Sequence, residues 1–228
     1  MTRAKIALFL LLGGLVSACG TTNVATRNTP FEPTPIGSEI DVPDGYQAAE
    51  AVPGASLPSV NVGQINVVVP QELKVSEANS YLPKGDIVWR GDPIGNRHAQ
   101  VAQIFEAAMQ RGTQAIEGDQ EVTLDIVVKR FHALSEKARY TVGGVHNITF
   151  DLTLRDAATG APLSPSREVR ADLDAFGGME AIRADSIGQT QKVRITDHLA
   201  EVIRQELTKE DGFQNPRLGL IQSINQAS

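Results

Sequence analysis

Two stretches, "EVTLDIVVKRFH" and "HNITFDLTL", alternate apolar and polar residues, and that period allows few folds. A repeat of two turns each side chain about 180° from the last, as in a strand with one face buried, and it cannot give a helix an apolar stripe. In the first stretch Val122, Leu124, Ile126 and Val128 share one face, with Thr123, Asp125 and Lys129 on the other. In the second, Ile148, Phe150, Leu152 and Leu154 are opposed by Asn147, Thr149, Asp151 and Thr153. A third, "REVRADLDAF", places Val169, Ala171 and Leu173 inward and Glu168, Arg170, Asp172 and Asp174 outward, where alternating charge reads as a solvated face. "DAATG" between the last two supplies turn residues for a hairpin.

Two short β-branched runs, "INVVV" and "DIVWR", precede these and are bounded by Pro70, Pro83, Gly85 and Gly91. Val101, Ile104, Phe105, Ala108 and Met109 recur at helical spacing, with Gly112 as the expected stop. Ile195, Leu199, Val202, Ile203 and Leu207 mark a final helix, and helical pattern begins as early as Gly178. The order β-β-α-β-β-β-α predicts an α+β fold in two layers: an antiparallel sheet with two helices packed on its apolar face. Residues 62–212 are expected to form this domain, with 213–228 as a C-terminal tail.

The N-terminus has a different character. Arg3 and Lys5 precede the apolar run Ile6–Leu15, and Ser17 and Ala18 end it, the layout of a secretory signal peptide over residues 1–18. The run is too short for a bilayer span, which needs about 20 apolar residues. Val16-Ser17-Ala18-Cys19 resembles a bacterial lipobox, with valine at the place where leucine is usual. The resemblance implies acylation of Cys19, the only cysteine in the chain, and a membrane held through acyl chains. Gly20 is not the aspartate that retains such proteins at the inner membrane of enteric bacteria, so an outer-membrane anchor facing the periplasm is expected. Six prolines between Gly20 and Asn61 (Pro30, Pro33, Pro35, Pro43, Pro53, Pro58) read as a disordered tether over residues 19–61, with an r.m.s. span of about 35 Å. Loss of residues 1–18 leaves 19 basic against 27 acidic side chains, a net charge of −8 that argues against nucleic acid as a partner.

"GDIVWRGDPIGNRHAQV", "RFHALSEKARYTVGGVHNITFDLTLRDAATG" and "GQTQKVRITDHLAEVI" resemble segments of an uncharacterised family of alphaproteobacterial lipoproteins. Lipobox, tether and small α/β domain are more remotely similar in architecture to the auxiliary lipoproteins of ABC-type lipid transport systems. Neither resemblance assigns a catalytic residue. No nucleophile elbow, phosphate-binding glycine loop or HExxH is found, and no cofactor or enzymatic activity is expected.

Topology supplies the one candidate surface. If the first helix runs antiparallel to the strand after it, His98 comes to the end of the sheet where Arg130 and His132 finish one strand, His146 opens the next, and "DIVWR" delivers Trp89. That pole also holds Gly143-Gly144 and Gly177-Gly178. It could receive an anionic group, a metal or a partner. Against this, His132 and His146 share the phase of the apolar faces, as hydrogen-bonded residues at the core's edge would, and a strand tryptophan is ordinarily core. The leading expectation is a non-enzymatic accessory or docking component of an envelope or transport assembly. The alternatives are a periplasmic ligand- or metal-binding protein or enzyme using the His/Arg cluster, and a structural envelope protein.

Overall fold

The structure, a computed structural model, describes residues 59–219 and Gln222. The expected signal peptide, Cys19 and nearly all of the tether lie outside the described residues.

Among the described residues six strands and four helices follow one another as β1 (Val60–Val68), β2 (Ile87–Val88), α1 (Arg97–Thr113), β3 (Gln120–His132), α2 (Glu136–Arg139), β4 (Gly144–Asp156), β5 (Arg167–Arg170), β6 (Leu173–Ala175), α3 (Gly178–Ser186) and α4 (Gln191–Thr208). β3 and β4 form an antiparallel pair at the centre, in register from Val122 opposite Asp156 to His132 opposite Asn147. β5 and β6 pair antiparallel with β4. β1 and β2 share the opposite edge of β3, and both run parallel to it. The sheet is therefore mixed rather than antiparallel throughout. Alternation reports which residues face inward but not strand direction. A parallel neighbour needs a long crossover, and the segment from Val68 to Gln120, with α1 inside it, provides one.

α1 starts where the Asn96 side chain accepts from the Ala99 N–H at 3.1 Å, and α4 where Thr190 Oγ1 accepts from Val193 N–H at 3.3 Å. Val101, Ile104, Phe105, Ala108 and Met109 of α1 join Ile195, Leu199, Val202 and Ile203 of α4 in one core with Val122, Leu124, Ile126, Val128, Ile148 and Phe150. Phe105 meets the Phe150 ring edge-on, centroids 5.4 Å apart. Gly112 does not end α1, which continues to Thr113. A side chain at Gly112 would collide with Ala200 and Ile203 of α4, so glycine here permits the close approach of the two helices.

Two departures from the expected strands matter for the site. A bulge between Val128 and Arg130 shifts the register of β3 against β4. Phe131 consequently turns into the core, while Arg130 and His132 pass to the outer face, opposite Thr149 and Asn147. The other is a break in "REVRADLDAF". Ala171 N–H donates to Ile148 C=O, but the next ladder position is taken by a side chain, Asp172 Oδ1 accepting from Ile148 N–H at 3.3 Å. Asp172 is fully buried instead of facing solvent.

Candidate functional site

The pole holding the ends of β2 and β3 and the start of β4 was the expected surface, and its side chains divide between the two faces of the sheet. His146 shares the phase of Ile148 and Phe150 and faces the helices. It lines a cavity of about 10 Å³ with Arg139, Phe176, Gln191 and Arg194. His132 lies on the other face, where Arg130 donates to its Nδ1 at 2.9 Å. His98, in the first turn of α1, places Nε2 3.1 Å from the Leu73 carbonyl oxygen. The three histidines do not converge on one cavity. Among the described residues no group of three His, Cys, Asp or Glu side chains could hold a metal ion.

Trp89 is not a surface residue. It is fully buried, packs edge-on against Phe131 with centroids 5.6 Å apart, and donates from Nε1 to Asp92 Oδ2 at 2.8 Å. Asp92 in turn accepts from Lys192 of α4 at 2.8 Å, which ties the β2–α1 turn to the last helix.

What the outer face of this pole does contain is an apolar pocket of about 300 Å³, lined by Tyr81, Leu82, Ala133, Leu134, Val142 and Val145, with His132 also in its wall. Its rim is unusual for a monomer surface: Tyr81, Leu82 and Val142 are 48%, 58% and 70% exposed. The walls are held by specific polar contacts. Ser135 Oγ donates to the Ser80 carbonyl at 2.6 Å and itself accepts from Ala138 N–H at the start of α2. Lys137 N–H donates to Asn79 Oδ1 at 2.7 Å, and the Lys137 ammonium lies 4.6 Å from the centre of the Tyr81 ring. Arg97, almost completely buried, fixes the preceding loop through Glu77 at 2.6 Å.

Gly143 adopts φ +75°, and a Cβ there would lie 2.8 Å from the Ala175 carbonyl oxygen and against Gly177. Gly143, which lines the pocket, and Gly177 therefore bring backbone against backbone, which no larger residue would allow.

Sequence pattern failed to show this pocket because its rim comes from the irregular segment between β1 and β2 and the loop between α2 and β4. Neither has a period. The one signal available was the pair of adjacent apolar residues, Tyr81-Leu82, bounded by polar residues and Pro83.

Burial pushes the His132 imidazole down to about 4, assisted by the Arg130 charge and opposed by Asp86. Burial likewise pushes His146 down to about 3, assisted by Arg194 and Arg139. Both rings are neutral in the fold at neutral pH and titrate near 6.5 when the chain is unfolded. Between about pH 4 and 6.5 the unfolded chain binds more protons, so stability rises with pH and falls on acidification. Each ring should withdraw about 1.4 kcal/mol per pH unit across that window. Glu206, whose carboxyl burial pushes up, acts in the opposite sense above its ordinary range. Urea melts at pH 7 and pH 5 should show the acid loss, with a shallower slope for His132→Asn. Equal slopes for the two chains would show that His132 is protonated in the fold.

The chain is similar to two solved structures at low identity. One, from Caulobacter crescentus CB15 and described as a "putative lipoprotein", is 15% identical, with 63% of this chain and 87% of that chain covered and a TM-score of 0.34. The other, a Xanthomonas campestris protein assigned to DUF330, is 13% identical, with 68% and 89% covered and a TM-score of 0.38. No curated protein matches the chain. Among the described residues no helix is long and apolar enough to cross a membrane. Residues 60–223 match DUF6778, a family of unknown function, and the chain belongs to that family.

Proposed function

We propose that this protein is an envelope lipoprotein, anchored through acyl chains on Cys19 and facing the periplasm from the outer membrane. Its domain acts without catalysis, docking on a larger envelope or transport assembly through the apolar pocket between Tyr81, Leu82 and Val142. The anchor rests on the lipobox at residues 16–19 and the Pro-rich stretch that follows it. The observation that carries docking is the pocket itself. A 300 Å³ apolar concavity with three large exposed side chains on its rim is costly to leave in water unless something covers it. The remote likeness in architecture to the auxiliary lipoproteins of lipid transport systems suggests the kind of assembly.

A photo-crosslinking amino acid at Leu82 of the full chain, introduced in living cells, tests both parts. Processed, membrane-partitioned protein should give one discrete adduct. Val142→Glu should remain anchored and lose that adduct, because a carboxylate on the rim cannot be desolvated without a partner. Cys19→Ser should accumulate as unprocessed precursor. Normal processing of Cys19→Ser would reject the anchor, and an adduct unaffected by Val142→Glu would reject the pocket.

A further inference from the structure

The end of the sheet away from β5 and β6 is formed in part by β1, whose second edge has no paired strand among the described residues. Edge strands are usually blunted by lysine, proline or inward charge, since a free row of N–H and C=O groups templates pairing with another chain. β1 carries none of these. From Val60 to Val69 there is no charged residue and no proline. Gly63 forms a bulge, but from Gln64 to Val68 the strand is regular against Thr123–Val127.

Coverage on this side is also incomplete. Val62, Ile65 and Val67 pack on the core while remaining partly exposed. Two of them, Val62 and Ile65, line an open groove of about 790 Å³ between β1 and the last turns of α1, where Gln110, Arg111 and Gln114 form the wall. Arg111 is the charged group in that lining, and it is already paired with Asp197 of α4.

We propose that β1 is a self-association edge: two copies of this chain pair antiparallel through Gln64–Val68, extending the sheet across a two-fold axis near Asn66. Charge selects the occupant. The groove offers no unpaired charged side chain among its described lining residues with which to recognise an acidic or basic peptide, so the matching strand is neutral, and β1 is such a strand. In antiparallel register Gln64 faces Val68 of the second copy and Ile65 faces Val67, joining the two exposed apolar stripes. The anchor is compatible with this. A two-fold axis along the bilayer normal places both Val60 ends at the same height, and two tethers of the kind expected from residues 19–61 can reach one membrane.

Single cysteines at Gln64, Asn66 or Val68 of the full chain, treated in membranes with a short bismaleimide, test the pairing. Wild type, carrying Cys19 alone, and Ala158→Cys, in the exposed turn between β4 and β5, are the controls. A crosslinked species of twice the chain mass is expected from at least the Asn66 position and from neither control. Adding Gln64→Lys and Val68→Lys to Asn66→Cys should reduce that species about tenfold, because lysines then face lysines across the axis. The melting temperature of this triple variant checks that the fold is retained. No dimer at any of the three positions, a dimer equally strong at Ala158→Cys, an adduct to a chain of different mass, or a dimer unaffected by the lysines would each overturn the proposal. A dimer in wild type as well would indicate a free Cys19 thiol and reject the anchor, leaving the β1 result to be read in a Cys19→Ser background.

Discussion

Phe150→Ala should cost about 3–5 kcal/mol in denaturant melts, while Asp151→Ala, its immediate neighbour, should change stability by less than about 1 kcal/mol. Phe150 is fully buried in β4, between Val128 of β3 and Val169 of β5, and its ring receives the edge of Phe105 from α1. It is the point at which sheet and helix layer meet. Truncation removes an aromatic contact as well as apolar area, and a cavity bounded by three elements cannot collapse around a methyl group. Asp151 lies on the outer face, half-exposed, with the Lys129 ammonium 3.7 Å away. An ion pair so placed contributes little. Reversal of the order of the two variants would mean that the sheet is inside out.

Asp172→Ala should be about as damaging, at about 3–5 kcal/mol, although it removes almost no apolar surface. The carboxylate accepts from Asn147 Nδ2 at 2.6 Å, Ile148 N–H at 3.3 Å, Asn215 Nδ2 at 3.0 Å and Gln222 Nε2 at 2.6 Å. Alanine would take this acceptor from all four donors, three of them on buried residues, and leave Gln222 Nε2 with the Pro216 carbonyl alone. Asp172→Asn should recover little, since its amide nitrogen meets donors. The same contacts bear on the boundary expected after residue 212. Phe213 packs on the core and meets the His198 ring edge-on at 5.6 Å, and its N–H donates to Glu206 at 3.0 Å. A chain ending at 212 lacks this residue together with Asn215 and Gln222. It should melt lower than one ending at 223 by about 2 kcal/mol, a smaller loss than Asp172→Ala because water can reach the opened carboxylate. Chemical denaturation of the four chains side by side checks the ranking. Equal stability of the two truncations would place the C-terminal segment outside the folded unit.

His132 shows where legibility stopped. Strict alternation from Val122 carries it onto the apolar face with His146, as expected, yet one extra residue at the bulge leaves Lys129 outward and reverses every assignment after it. Phe131 is the residue that gives this away. As the large apolar side chain out of phase in "VVKRFH", it gains more by entering the core beside Trp89 and Phe105 than a regular ladder would supply. Asp172 fails for a related reason. On the pattern it is one of four outward charges, and only the arrival of Asn215 and Gln222 from more than forty residues away gives its carboxylate enough donors to be buried.

By itself the sequence determined most of the residues that build the core, because the periods of two and 3.6 are set by local backbone geometry and survive without tertiary information. It likewise determined the order of the long elements, with α1 ahead of β3 and β4 and α4 last, but it did not show the short helix α2 or the break that separates β5 from β6. The tertiary structure alone decided that β1 and β2 run parallel to β3, that the histidines part to opposite faces, and that the apolar pocket exists. Each of these depends on contacts between segments distant along the chain, where direction, bulge and loop path are chosen by the total free energy of packing and leave no periodic trace in the residues themselves.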